Sequence, residues 1–156
     1  MQKCITSYLT KVYQGDVNAS EAKEISGLMR MTNNIERIGD SVENIALMIE
    51  DVIEDKIEFP DEAIVDINNI SSQVSCFLDL IITSMQTAPN RFMEEAQNME
   101  DNIDFMREEM RQAHIERLRK GQCGNAAGLK VSDMLSNFEK MGDYCYNIAQ
   151  AIAGIK

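Results

Sequence analysis

Positive charge is scarce in this chain. Its 15 lysines and arginines stand against 26 aspartates and glutamates, a formal net charge of −11. Phosphate backbones demand an excess of Lys and Arg, so this balance argues against a nucleic-acid partner. Cation binding and plain solubility both remain open. The four cysteines, Cys4, Cys76, Cys123 and Cys145, form no Cys-x-x-Cys pair and show no zinc-like spacing. With Cys76 and Cys145 inside helical apolar patterns, they read as the free thiols of a cytosolic protein. No apolar run is long enough to span a bilayer, and no cleavable signal opens the chain. There is also no nucleophile with a paired base, no Gly-rich phosphate loop and no dinucleotide fingerprint. A non-enzymatic protein is the expectation.

Hydrophobic residues make up 44% of the 156 positions and charged residues 26%. That is a globular composition, long enough for one domain with a real core or the larger part of a slightly bigger one. Two prolines and eight glycines sit mainly at punctuation points, and no β-branched alternation separates them. The fold class is therefore all-α.

From about Asn18 to Asp55, Ile25, Leu28, Ile35, Val42, Ala46, Ile49 and Ile53 fall on a heptad frame, with Thr32 and Gly39 filling the seam. Asn18 with Glu21 predicts a capping box at the start. A second helix is predicted from Pro60 to about Thr87, with Ile67, Ile70, Val74, Phe77 and Ile81 as its stripe. A third runs from about Asn90 to Lys120 with Phe92, Ala96, Met99, Ile103, Met106, Met110 and Ala113 inward, ending on basic residues before Gly121. A fourth runs from about Asn125 to Ala153. Long helices joined by short polar turns make an antiparallel bundle. Residues 2–14 read as the last turns of a helix stopped at Gly15, as if the chain were cut from a longer protein.

Two words in the chain nearly coincide: "NNIERIGDSVENIA" from 33 and "SNFEKMGDYCYNIA" from 136. At a constant offset of 103, eight of sixteen positions are identical from Asn34/Asn137 to Ile49/Ile152, which points to duplicated subdomains. Each word carries an acidic pair one helical turn apart: Glu36 with Asp40, and Glu139 with Asp143. Glu100 and Asp104 on the third helix occupy the same two heptad positions. All three pairs flank an apolar stripe on the same side, facing the groove toward a neighbouring helix. If the third and fourth helices are antiparallel neighbours, four carboxylates meet and require protons or a cation. Oxygen ligands without Cys or His suit divalent ions such as Mg2+, Ca2+ or Mn2+, or iron, better than zinc. Gly39 and Gly142 each cost about 1 kcal/mol of helix propensity and read as packing devices that let a neighbour approach. Asn44 and Asn147 are candidates for supporting the ligands or for hydrogen bonds between helices. The single histidine, His114, follows Arg111 rather than a glutamate, so the Glu-x-x-His half of a ferritin-like di-iron site is missing and His114 reads as a surface residue.

The words "IERIGDSVENIA" and "FEKMGDYCYNIA" resemble the signature of the PhoU family of phosphate-uptake regulators. The resemblance implies two tandem three-helix repeats, with an E-R-x-G-D motif on the third helix of each and an acidic pair on an earlier one. Here "EDNID", Glu100 to Asp104, is similar to that earlier pair. The resemblance implies metal binding, by divalent or ferric ions, at Glu100, Asp104, Glu139 and Asp143, and with less support at Glu36 and Asp40. Residues 1–56 then form an incomplete first repeat without its first helix, and residues 57–156 a second, complete one. Lys140 and Met141 depart from the motif but leave both carboxylates and the glycine in place.

PhoU-like domains also occur at the cytoplasmic C-terminus of bacterial sodium/phosphate cotransporters, and the incomplete front fits that setting. The expectation is a regulatory domain at the cytoplasmic face of the membrane, partnered with a phosphate transporter in the same chain, with a homodimer as a further assembly. Two alternatives stand beside it: a ferritin-like carboxylate metal enzyme, and a structural dimerisation or adaptor bundle.

Overall fold

A capping box starts the longest helix. The Asn18 side chain accepts from the Ser20 and Glu21 amides, and the Glu21 carboxylate accepts from the Asn18 amide. This is a computed structural model, describing residues 1–87 and 89–155. Among the described residues five helices form and no strand: α1 (Gln2–Tyr13), α2 (Ala19–Glu54), α3 (Asp61–Ser84), α4 (Phe92–Arg119) and α5 (Asn125–Ile152). Among the described residues no helix is long and apolar enough to cross a membrane.

The expected antiparallel bundle forms, with α2 and α5 as its spine. Lys130 near the start of α5 reaches Asp51 near the end of α2. The other end of the pair places Gly27 opposite the Ala151 carbonyl, so the two helices run in opposite directions. Midway, the Arg37 guanidinium lies 5.6 Å from the centre of the Tyr144 ring, a cation–π contact. α4 runs antiparallel to α5, and α3 closes the groove between them. Arg117 near the end of α4 binds Asp66 near the start of α3 at 2.9 Å. α1 packs on α2, where the Gln2 amide donates to Asn33 at 2.7 Å.

The core follows the predicted stripes of α3 and α4 closely. Ile70, Val74, Phe77 and Ile81 from α3 meet Phe92, Ala96, Ile103 and Met110 from α4 and Val131, Leu135, Cys145 and Ile148 from α5. Four expectations fail. Ala113 faces solvent while its neighbour His114 is buried, at 3% exposure. His114 packs against Gly128, where an added Cβ would come within 3.0 Å of its Nε2, so the glycine makes room for the buried imidazole. Cys76 is exposed and only Cys145 is buried among the cysteines. On α2 the seam residue Ile25 is buried as expected, but beyond it the heptad seam is not the core face. Ile38, Ser41 and Ile45 turn inward, while Leu28, Ile35, Val42, Ile49 and Ile53 stand at the surface. Heptad periodicity identified an apolar line, and beyond Ile25 no helix among the described residues buries it.

Candidate metal centre

The site is built where α4 and α5 come closest. Gly142 permits that approach: a Cβ there would lie 3.2 Å from both Cδ1 and Cγ2 of Ile103. The next residue on each helix is acidic, so the same close contact brings Asp104 and Asp143 to one groove. Glu100, one turn before Asp104, completes a group of three carboxylates whose oxygens lie within 4.8 Å of one another. Gly142 thus has the close-approach role expected of it. Gly39 is its counterpart in the first repeat. A Cβ added there would meet nothing within 4 Å, so Gly39 carries no such role.

Electrostatics follow from that crowding. Glu100 is pushed up to about 7, first by burial and then by Asp104, Asp101 and Asp143. Asp143 is raised by burial and by Asp104. Glu139 is raised by burial and Asp143, against the pull of the Arg107 guanidinium 3.8 Å away. Glu139 therefore stands beside the trio with part of its charge already answered.

Two residues at this site were missed by sequence reasoning. Arg107, one turn beyond Asp104, contacts both Glu139 and Glu108, the latter at 3.3 Å. The Gln97 amide donates to Glu100 at 3.1 Å and Asp101 at 2.9 Å. Helical spacing from the acidic pair would have found both.

Glu36 and Asp40 are exposed and join no such group among the described residues. α1, the other helix packed on α2, contains no acidic residue and starts level with Asn33, short of both. Asn44 and Asn147 are likewise exposed. The paired asparagines that do show repeat-related bonding are Asn34 and Asn137. Each donates to the carbonyl four residues earlier, at 2.8 and 2.9 Å. His114 lies ten residues beyond Asp104 on α4, about 15 Å along the helix axis, and is no part of the cluster.

The donor set fits a hard cation. Three carboxylates offer oxygen only, crowd one another, and remain open to solvent, so a bound ion would offset their mutual repulsion. The fold and site together define an all-α domain with a carboxylate cluster held between antiparallel helices. The chain belongs to the PhoU family: the PhoU domain matches residues 1–49 and 67–152, most of its length. It is similar to the phosphate-specific transport system accessory protein PhoU homolog 1 of Thermotoga maritima, at 24% identity over 143 residues. That match covers 87% of this chain and 58% of the relative, so the chain spans less than two thirds of the relative's length. No solved structure matches the chain.

Proposed function

We propose that this protein is a non-enzymatic regulatory domain of phosphate transport, which binds a divalent or ferric ion at Glu100, Asp104 and Asp143. The observation that carries the reading is the meeting of three carboxylates from two helices within 4.8 Å, in a chain of the PhoU family. The relative named as an accessory protein of phosphate-specific transport supports the setting. Glu139 is the fourth carboxylate within reach, and Arg107 answers its charge when no ion is bound. A bound cation supplies positive charge that lets all of these groups ionise together. The protein's own residues do the rest: Gly142 sets the α4–α5 spacing, Gln97 orients Glu100, and Arg107 orients Glu139.

Bare carboxylates repel phosphate, so free phosphate is not a ligand of the groove by itself. The partner in this reading is a membrane phosphate transporter, and the domain is its cytoplasmic part in a sodium/phosphate cotransporter. Glu36 and Asp40 belong to the duplicated motif and face no opposing acidic pair among the described residues, so the reading rests on the second repeat. The test is phosphate uptake by cells expressing the native gene with Asp104→Asn/Asp143→Asn. Uptake that no longer responds to external phosphate is expected, and an unchanged response contradicts the proposal.

A further inference from the structure

His114 is the chain's single histidine, and it is buried at 3% exposure. Neither of its ring nitrogens has a hydrogen-bond partner among the described residues. Burial and the Arg117 guanidinium favour the neutral ring, against weaker pulls from the Gly128 backbone and Asp66. A neutral imidazole still offers one donor and one acceptor, and leaving both unpaired in the interior is costly. Such a group calls for a purpose.

The ring lines a cavity of about 320 Å³ between α4 and α5. Ile115, Leu118, Leu129 and Leu135 make its wall largely apolar, with Ser132 and Asn125 as the other neutral polar residues. Arg111 borders it too, but Glu108 holds that guanidinium through two hydrogen bonds, at 2.7 and 3.0 Å, so its charge is already answered. A volume of this size lies at the small end of ligand sites, and an apolar wall around a few polar atoms is their usual chemistry.

The room is particular to the second copy of the repeat. Carried back by the repeat offset from α5 to α2, Gly128 and Ser132 fall on Ile25 and Met29, two larger apolar side chains. Ile25 is itself buried. In the second copy, a Cβ at Gly128 would lie 3.0 Å from both His114 Nε2 and Leu118 Cδ2, so the glycine is what admits the ring to the face of α5. A glycine inside a helix and an unpaired imidazole each weaken the fold, and they stand together at one cavity.

We propose that this cavity binds a small neutral alcohol or phenol, its apolar body among Ile115, Leu118 and Leu135 and its hydroxyl hydrogen-bonded to the His114 imidazole. The inference stands on residues separate from the carboxylate cluster. Its test uses the full chain with phenol, toluene and benzoate as probes, followed by NMR of the one histidine ring and of the probes. Toluene leaves water more readily than phenol, so an apolar cavity alone would rank toluene first. Phenol should instead bind saturably, shift the His114 ring resonances, and bind at least fivefold more tightly than toluene. Benzoate would carry an unanswered charge into the cavity and should bind at least tenfold more weakly than phenol. His114→Phe keeps an aromatic ring without its nitrogens, and should bring phenol to toluene's affinity or below it. Ser132→Leu places a larger side chain in the cavity and should weaken phenol at least tenfold, which serves the test should His114→Phe lose helicity by circular dichroism. No binding of phenol, toluene or benzoate matching it, His114 resonances that do not move, or undiminished phenol binding in either folded variant overturns the proposal.

Discussion

Gly39 and Gly142 stand at matched positions of the repeat, and their surroundings differ completely. Replacing Gly39 by alanine adds a methyl group to open space, so the helix should gain about 1 kcal/mol. Replacing Gly142 drives a Cβ to 3.2 Å from Ile103, an overpacking that costs about 1–3 kcal/mol and cancels or reverses the same gain. Urea denaturation should therefore rank Gly39→Ala above the parent and Gly142→Ala at or below it; equal gains in both would remove the close contact from the account. The sequence showed two glycines in one frame and could not distinguish them, because a glycine's role depends on whether a neighbour is present. His114 was misread for a related reason. It follows Met110 by one turn and extends the buried line of α4, but polarity argued for the surface until Gly128 made room for it.

Titration belongs to this scale as well. Glu100 has a folded-state pKa of about 7 against an ordinary 4.5, so the folded protein binds more protons than the unfolded one between those values. Its contribution to stability is full below the ordinary value and is lost as pH rises toward 7. His114 has the opposite sign: burial and Arg117 lower its pKa, so the folded form gains as pH rises toward 6.5. The two overlap, and the Glu100→Gln variant separates them. In metal-free protein, the melting temperature of Glu100→Gln relative to the parent should climb between pH 5 and pH 7.5, by a few degrees. A difference that stays constant with pH would mean the carboxyl is not perturbed.

At the scale of helices, most of the architecture was legible. The observed bounds of α2, α4 and α5 lie within two residues of those read from periodicity and end signals. The second helix was predicted to run to about Thr87, and α3 ends at Ser84, ahead of Pro89. The Asn18 capping box formed as predicted, because cap chemistry is local and needs no tertiary partner. Asn18→Ala should lower stability by about 1 kcal/mol, a melting shift of about 2–4 °C in thermal denaturation. An unchanged melting point would mean that α2 is held by its contact with α5 alone. The α2 seam was the main misreading. A heptad line records which face is apolar, and burial depends on another element reaching it. Ile38 and Ile45, off that line, are the residues that α5 covers.

At the scale of the whole molecule, the duplication explains both what is present and what is left open. α4 and α5 bring their acidic pairs together across Gly142. α1 starts level with Asn33, short of Glu36 and Asp40, and brings no acidic residue to them. The acidic pairs, their frame and their orientation toward a groove could be read from spacing alone. The grouping of Glu100, Asp104 and Asp143, with Glu139 turned toward Arg107, could not, because it depends on side-chain geometry across two helices. A cation bound only by the folded protein stabilises it in proportion to the logarithm of its concentration over Kd, about 2.7 kcal/mol at a hundredfold excess. Melting temperature should therefore rise with the bound metal in the parent and not in Asp104→Asn/Asp143→Asn.

The most direct measurement is elemental analysis of tag-free protein after incubation with manganese, iron, magnesium or calcium, beside the Asp104→Asn/Asp143→Asn variant and with excess ion removed by gel filtration. One ion per chain in the parent and none in the variant is the predicted result. Metal absent from both, or retained equally by both, would contradict the assignment of the α4–α5 groove as a cation site.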